Sequence, residues 1–256
     1  MRANYHSHTW RCNHAQGQER EYIEQAIRAG IQVLGFSDHT PYPFPDGYVS
    51  YFRMAPRQAE DYFKTVSDLK REYAGQIEIR IGVEAEYYPA HFHALLQFLS
   101  DYPCEYMIMG QHFIHNETDG VYSGNRTADE GVLIQYVSQV LEGLQTGKFT
   151  YLAHPDLLNW RGDAEIYDRE MSRLCRGAKA LGVPLEINLL GLNDCRHYPN
   201  LRFWQIAAAV GSEAILGCDA HQAEAMNRPA VEETARLFAA EQGLVLLEDV
   251  VLKPIN

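Results

Sequence analysis

The chain has 256 residues, of which 46% are hydrophobic and 22% are charged, and its formal net charge is -12, which is the profile of an ordinary globular protein. The acidic balance argues against a general nucleic-acid-binding protein, because phosphate backbones are held mainly by clustered lysines and arginines. It is compatible with a small phosphorylated substrate, since metal ions can supply positive charge locally.

Short β-type segments alternate with longer amphipathic segments along the whole chain. The predicted strands are 2–8, 31–37, 77–84, 106–110, 149–153, 183–188 and 214–217. The predicted helices are 19–29, 56–73, 90–99, 129–146, 168–181, 201–210 and 224–241. Gly30, Gly182 and Gly211 stand just before the next strand, where the glycine that ends a helix is expected.

Strands that alternate with helices imply a parallel sheet, which either closes into a barrel or stays open as a doubly wound sheet. A barrel is favoured because most of the predicted strands run directly into His, Asp or Glu. In barrel enzymes the functional groups come from the C-terminal ends of many strands, whereas a doubly wound sheet binds its ligand mainly at the switch point. We therefore predict an α/β barrel with its site at the strand ends.

His6 and His8 form the clearest local feature. Residues two apart on a strand point to the same face, so these two imidazoles are expected to lie side by side, where they could bind one cation. The alternative is that one histidine is hydrogen-bonded in the core and the other is exposed. Asp219 and His221 have the same spacing after the seventh predicted strand, and they would share a face if that strand continues.

Other predicted strands also end in possible ligands. His39, His112 and His154 each follow an apolar run, although each alone could be an ordinary polar residue. Glu84 and Glu86 would share a face at the end of the third predicted strand, and their spacing does not choose between them. Because five or more strand ends each provide a nitrogen or oxygen atom, we predict a metal site. Imidazole and carboxylate ligands without thiolate suit zinc, manganese or iron.

Several other enzyme classes lack their signatures here. The sequence contains no G-x-S-x-G elbow, no G-x-x-x-x-G-K-[ST] phosphate loop, no G-x-G-x-x-G fingerprint and no H-E-x-x-H motif. Two rivals to a metal-dependent phosphomonoesterase stay open. One is a nuclease or phosphodiesterase with the same metals, which would need a groove rich in Lys and Arg. The other is a non-catalytic metal-binding module, for which a missing ligand would be the first sign.

Targeting signals and disulfides are not expected. No signal peptide is visible at the N-terminus, and no apolar run is long enough to cross a bilayer, so we expect a cytoplasmic protein without a membrane partner. The five cysteines are an odd number without C-x-x-C spacing, which is typical of reduced thiols. The length suits one domain over residues 1–256.

Taken together, these residues resemble the polymerase and histidinol phosphatase (PHP) superfamily, and the resemblance covers nearly the whole chain. The motif elements stand in the family's order as His6-Ser7-His8, His14, Ser37-Asp38-His39, Gly82-Val83-Glu84, Gln111-His112-Phe113, Ala153-His154-Pro155-Asp156 and Gly217-Cys218-Asp219-Ala220-His221. The resemblance implies a distorted (β/α)7 TIM-like barrel that binds two to three divalent metal ions, Mn, Zn or Fe.

The resemblance also implies which residues hold each ion. A first ion would be held by His6, His8, Glu84 and Asp219, and Glu84 would bridge to a second ion held by His112 and His154. A third would be held by His14, His39 and His221. The family pattern thus selects Glu84 over Glu86, and it adds His14, which spacing alone places in an N-terminal loop. Glu84 and Asp219 would be catalytic as ligands of the cations that activate water.

Within the superfamily the chain looks like the histidinol-phosphate phosphatases, which implies hydrolysis of L-histidinol phosphate in histidine biosynthesis. The insertion 40–55, with its Tyr51-Phe52-Arg53-Met54, and the segment Gln111-His112-Phe113 resemble that subgroup. Arg161 and Arg196 resemble its phosphate-binding arginines, although either could be an ordinary surface residue. The alternative substrates are those of related members: a nucleotide, nucleic acid or phosphotyrosine.

Overall fold

A curled parallel sheet of eight strands forms the centre of the molecule, in the order β1-β2-β3-β4-β7-β8-β9-β10. The computed structural model describes residues 1–255. Its strands are β1 Ala3–Asn4, β2 Val33–His39, β3 Glu78–Ala85, β4 Tyr106–Met109, β5 Phe113–Ile114, β6 Val121–Tyr122, β7 Phe149–Leu152, β8 Leu185–Asn188, β9 Glu213–Gly217 and β10 Val245–Leu247. Strands β5 and β6 form a separate antiparallel hairpin beside the sheet.

Helices connect the strands and cover the outside of the sheet. They are α1 Glu19–Arg28, α2 Ala59–Glu72, α3 Phe92–Leu99, α4 Glu130–Gln145, α5 Ala164–Ala180, α6 Leu189–Asn193, α7 Leu201–Val210 and α8 Pro229–Gln242. Helix α5 begins earlier than the prediction at residue 168, because the Asp163 carboxylate accepts hydrogen bonds from the backbone N–H groups of Glu165 and Ile166. Helix α8 begins later than predicted, at Pro229, a residue type that favours the first helical position.

The sheet closes into a ring only at the edge where the C-terminal ends of its strands lie. At the opposite end β10 pairs with the beginning of β9, with Val245 opposite Glu213. Past the end of β10, the residues that follow β1, here called the extension of β1, lie beside the residues that follow β9. There the backbone N–H of His8 donates to the carbonyl of Ala220 over 2.9 Å. Seven strands therefore surround the upper part of the ring, and the predicted distorted (β/α)7 barrel is confirmed. Strand β10 was not predicted.

The lower part of the barrel interior is apolar. Eight buried side chains fill it, here called the inner cluster: Ala3, Tyr5, Val33, Tyr106, Ile108, Tyr151, Ala153 and Ile215. The Tyr106 hydroxyl donates to the backbone carbonyl of Tyr5 over 2.8 Å. Its ring lies against Gly35 and Gly82, where any Cβ atom would overlap it. The inner cluster forms a floor, so the polar residues at the strand ends face a cavity closed from below.

Hydrophobic residues between the sheet and the helices form the larger core. Along β4, Met107 and Met109 pack outward into it, while Tyr106 and Ile108 point into the inner cluster, as expected from the alternation of side chains along a strand. Among the described residues, no helix is both long and apolar enough to cross a membrane.

Candidate metal centre

The C-terminal ends of the strands bring the predicted metal ligands into one compact cluster. The cluster contains five overlapping groups of three residues. Within each group, one nitrogen, oxygen or sulfur atom from each residue lies within 4.8 Å of the other two. The groups are His6, His8 and Asp219; His6, Glu84 and His154; His8, His39 and Glu84; His14, His39 and His221; and His8, Cys12 and His221. The remaining predicted ligand, His112, approaches the cluster with its Nε2 atom 3.6 Å from Glu84.

Ring closure places His6 and His8 next to Asp219. The Nε2 atoms of His6 and His8 lie 3.4 Å and 3.1 Å from the same Asp219 oxygen, Oδ1. His6 and His8 share a face, with ring centroids 5.1 Å apart, as their spacing of two predicts. The extension of β1 and the end of β9 thus provide a three-sided group of two imidazoles and one carboxylate.

Glu84, at the end of β3, lies at the centre of the cluster. Its Oε1 atom is 2.9 Å from His154 Nε2 and 3.5 Å from His6 Nε2. Its other oxygen, Oε2, is 2.9 Å from His39 Nδ1 and 3.7 Å from His8 Nε2. Because the two oxygens face different sets of imidazoles, this carboxylate has the arrangement of one that bridges two cations.

Gly110 leaves the space that Glu84 occupies. A Cβ atom at this position, just after β4, would overlap the Glu84 carboxylate. A side chain at residue 110 would therefore displace the central carboxylate of the cluster. This steric conflict explains why glycine stands here, since the backbone conformation alone does not require it.

His14, His39 and His221 form the outer part of the cluster. The Nδ1 atoms of His14 and His221 lie 2.8 Å and 3.0 Å from the backbone carbonyls of Cys12 and Asp219, which favours a proton on each Nδ1. Their Nε2 atoms then face each other as unprotonated acceptors, 2.9 Å apart. Two lone pairs at this distance repel each other unless a cation lies next to both.

Buried polar atoms without hydrogen bonds also indicate that the cluster suits divalent cations. The Nε2 atom of His6, the Nδ1 atom of His39 and the Oε2 atom of Glu84 are buried and form no hydrogen bond among residues 1–255, because even the 2.9 Å contact between the last two lacks hydrogen-bond geometry. Leaving one such atom unpaired costs about 1–3 kcal/mol, so several of them together disfavour the bare site. Divalent cations would satisfy all of these atoms, and the donor set of imidazole and carboxylate fits zinc, manganese or iron.

The local electrostatics keep Glu84, His39 and His221 in the forms that bind metals. Burial would raise the pKa of Glu84, but the imidazoles of His112, His39 and His6 hold it well below its ordinary value. Burial and the neighbouring His8 lower the pKa of His221 to about 3. Burial, again with His8, lowers the pKa of His39 as well. Ionised carboxylates and neutral imidazoles are the protonation states that metal binding requires. At His6, His8 and His154 the neighbouring carboxylates outweigh burial and raise the pKa, so these three imidazoles would release a proton on binding a cation.

A second layer of carboxylates holds the imidazoles in place. Glu186 on β8 is fully buried, and one of its oxygens lies 2.7 Å from His6 Nδ1. Its other oxygen accepts a hydrogen bond from the backbone N–H of His154. Glu86 lies 2.8 Å from His112 Nδ1. Such partners fix the ring plane and tautomer of a histidine ligand.

Sequence reasoning overlooked Glu186, and spacing alone left Glu86 as an alternative until the family pattern selected Glu84. A signal for Glu186 existed, because it lies within a predicted strand and two residues before Asn188. The side-chain amide of Asn188 donates to Glu186 over 3.0 Å and to Asp219 over 3.1 Å. The two carboxylates of β3 lie in different places, since Glu84 is inside the cluster and Glu86 is behind His112.

Two residues of the cluster have an unusual backbone. His154 has a φ of 28° and Asp219 a φ of 47°, both in the left-handed region that non-glycine residues rarely adopt. Such conformations cost of order 1–3 kcal/mol each and are concentrated at functional sites. In both cases the turn directs the side chain from the end of a strand into the cluster.

A cavity of about 880 Å³ opens above the cluster. The 40–55 segment and the β5–β6 hairpin contribute aromatic side chains to its wall, namely Tyr51, Phe52, Phe113 and Tyr122. Arg196 and Arg228 also line it. Arg228 was not singled out from the sequence, because nothing in its local pattern distinguishes it from a surface arginine.

The two predicted phosphate-binding arginines differ in position. The guanidinium of Arg196 is directed by Tyr198, whose hydroxyl lies 2.9 Å from Nη1, and by Asp194, whose carboxylate lies 3.2 Å from Nη2. Arg161 is exposed and is not among the residues that line the cavity. Its contact with a substrate therefore stays a prediction.

Comparisons with known proteins agree with this architecture. The model of the PHP domain family matches residues 4–189. A probable histidinol-phosphatase of Deinococcus radiodurans is 28% identical over 226 residues, which cover 85% of this chain and 85% of the relative. A histidinol-phosphatase of Bacillus subtilis is 27% identical over 252 residues, covering 85% and 92%.

A solved structure has a similar fold along the full chain. It is the histidinol phosphate phosphatase of Lactococcus lactis, which was crystallised with zinc, L-histidinol and phosphate. Its TM-score is 0.74 at 19% identity, and the match covers 98% of each chain.

Proposed function

The chain belongs to the PHP domain family, and from that membership and the geometry of its site we propose that it is a metal-dependent phosphomonoesterase that hydrolyses L-histidinol phosphate to L-histidinol and inorganic phosphate. The full-length relatives with this activity in their names support the choice of substrate. We further propose that residues 1–256 act as one domain, in the cytoplasm, within histidine biosynthesis.

The observation that supports this function most directly is the position of Glu84. Its two oxygens lie 2.9 Å from His154 Nε2 and 2.9 Å from His39 Nδ1, on the floor of a cavity large enough for a small phosphorylated molecule. We propose as metal ligands the nine residues His6, His8, His14, His39, Glu84, His112, His154, Asp219 and His221. This set would hold two to three ions of Mn, Zn or Fe.

Bound divalent cations would lower the pKa of water toward neutrality and would neutralise charge on a phosphoryl group. The protein's own residues position the reacting groups and shape the site. Glu84 and Asp219 each place a carboxylate oxygen close to His6 Nε2, at 3.5 Å and 3.4 Å, so both would be in position before the reaction begins. The inner cluster closes the barrel beneath them, and the cavity is the open side of the site.

Charge complementarity favours a small phosphate monoester over nucleic acid. The protein has a formal net charge of -12, which repels an extended polyanion. The cavity itself contains Arg196 and Arg228, and cations at the cluster would add positive charge. Asp194 and Asp219 also line the cavity, so its net positive charge would come from bound cations, and such a pocket in an acidic protein suits one phosphate group on a small leaving group.

A panel of phosphate esters with added manganese or zinc tests the substrate. We expect kcat/KM for L-histidinol phosphate to exceed that for phosphotyrosine, a nucleoside monophosphate and a phosphodiester by at least about a hundredfold, which equals roughly 2.7 kcal/mol of transition-state stabilisation. The same panel run with Glu84→Gln controls for a contaminating phosphatase. A preference for phosphotyrosine or for the diester would contradict the proposal.

Arg196→Met should chiefly raise KM, by roughly 10- to 100-fold, because a charge-assisted hydrogen bond to phosphate contributes about 1.5–3 kcal/mol to binding. Steady-state kinetics with L-histidinol phosphate measure this effect. Arg202→Met is the matched control, since its side chain is 49% exposed against 43% for Arg196 and pairs with Asp168 outside the cavity. An unchanged KM in Arg196→Met would return that residue to an ordinary surface role.

A further inference from the structure

A buried chain of charged groups connects the 40–55 segment to the metal centre. This segment contains no helix or strand, yet the side chain of Arg53 within it is only 2% exposed. Its Nη1 and Nη2 atoms donate to the two oxygens of Glu86 over 3.0 Å and 2.9 Å, and its Nε atom donates to Glu117 over 2.7 Å. A buried arginine held by two carboxylates requires a structural or functional explanation, because burying charges is costly.

The chain of contacts continues from Glu86 to His112. The Glu86 oxygen that accepts from Arg53 Nη2 is also 2.8 Å from His112 Nδ1. The opposite nitrogen of that ring, Nε2, faces Glu84 at 3.6 Å. A proton on Nδ1, donated to Glu86, leaves the lone pair of Nε2 directed toward the central carboxylate of the cluster.

We propose that Arg53 is a positioning residue of the metal centre, which acts through Glu86 to fix the ring plane and tautomer of His112 for metal binding. The inference rests on the proposed function only in taking His112 as a metal ligand. Arginine suits this role because its planar guanidinium holds both oxygens of one carboxylate at once, which the point charge of lysine does not do. Glu86 is thereby prevented from rotating away from the imidazole.

The same residue also fixes part of the cavity wall. The guanidinium of Arg53 lies 4.5 Å from the ring centroid of Phe52. The Phe52 ring in turn packs edge-on against His39, with centroids 5.2 Å apart, and against His112, with centroids 5.9 Å apart. Arg53 therefore links the position of an irregular segment at the substrate cavity to the geometry of two proposed ligands.

Zinc affinity, measured by competition with a chromogenic chelator on the full-length protein, tests the proposal without any substrate. Loss of a carboxylate partner behind a histidine ligand typically weakens metal binding 10- to 100-fold. We expect weakening in that range for Glu86→Gln and for Arg53→Lys. Arg57→Lys is the matched control, because it makes the same change at an exposed position four residues later and should alter the affinity less than threefold.

A double-mutant cycle separates positioning from a merely structural role. If Arg53 acts through Glu86, then Arg53→Lys should weaken zinc binding less than threefold further in a Glu86→Gln background. Unfolding temperatures of the metal-free variants are measured in parallel, since a general loss of structure would lower them together with the affinity. Wild-type affinity in Arg53→Lys, or fully additive losses in the cycle, would overturn the proposal.

A third variant covers the case in which Arg53→Lys does not fold. Arg53→Met combined with Glu86→Gln and Glu117→Gln removes the buried cation together with both of its anionic partners, so no unpaired charge remains. We expect this triple variant to bind zinc as weakly as Glu86→Gln, and wild-type affinity would refute the inference. A protein that binds zinc as expected here but does not hydrolyse L-histidinol phosphate would contradict the proposed function alone.

Discussion

Replacing Glu84 with glutamine is expected to lower kcat by roughly a thousandfold or more while the fold is retained, since loss of the bridging charge removes several kcal/mol of transition-state stabilisation. The amide has the same size as the carboxylate and fits the space beside Gly110. It turns one of two oxygens into an NH2 group, which cannot bind a cation. Only one of the two imidazole sets that Glu84 now faces would then have an oxygen opposite it, and that amide oxygen carries no net charge.

Three measurements on Glu84→Gln make this result interpretable. Steady-state kinetics give kcat, elemental analysis gives the number of bound ions, and circular dichroism checks the fold. Glu78→Gln is the matched control, because Glu78 lies at the start of the same strand with its side chain 49% exposed and far along β3 from the cluster. Near-normal turnover in Glu84→Gln would remove this residue from its bridging role.

Removal of the metal ions is expected to abolish activity and to lower thermal stability. Stripping leaves the unpaired atoms of His6, His39 and Glu84 buried without partners. A ligand present at a hundred times its Kd stabilises the folded state by about 2.7 kcal/mol, and for a chain of this size that corresponds to roughly 5–10 °C in Tm.

The experiment compares protein dialysed against a chelator with the same protein after manganese or zinc is added back. Activity and Tm should both recover on addition. In Glu84→Gln the shift in Tm on metal removal should be smaller than in the wild type, which separates a specific effect from damage by the chelator. Equal activity and equal Tm before and after stripping would contradict a metal-dependent reaction.

The clustering of the strand-end residues was predictable because parallel strands deliver their C-terminal residues to one edge of a sheet. Spacing alone pairs His6 with His8 and Asp219 with His221, and the positions of His112 and His154 follow from the apolar runs before them. The seven predicted strands are all present in the barrel. These features are encoded within a few residues of each other, so a local pattern is sufficient to detect them.

Features that depend on distant contacts were not predictable in this way. Strand β10 has one exposed and two partly buried residues, and it exists as a strand because β9 provides its hydrogen bonds. His14 came from the family pattern alone, because a loop of the chain places it opposite His221. The role of Arg53 is hidden for the same reason, since its partner Glu86 lies 33 positions away in the sequence.

The bond that completes the ring also sets the order in which the site can be built. His6 and His8 acquire their neighbour Asp219 only when the backbone of Ser7 pairs with that of Ala220, which lies near the other end of the chain. During synthesis on the ribosome, these two histidines therefore have no shared carboxylate until the chain has been extended beyond residue 219. We therefore expect any cation held by these three residues to bind only after Asp219 has been synthesised.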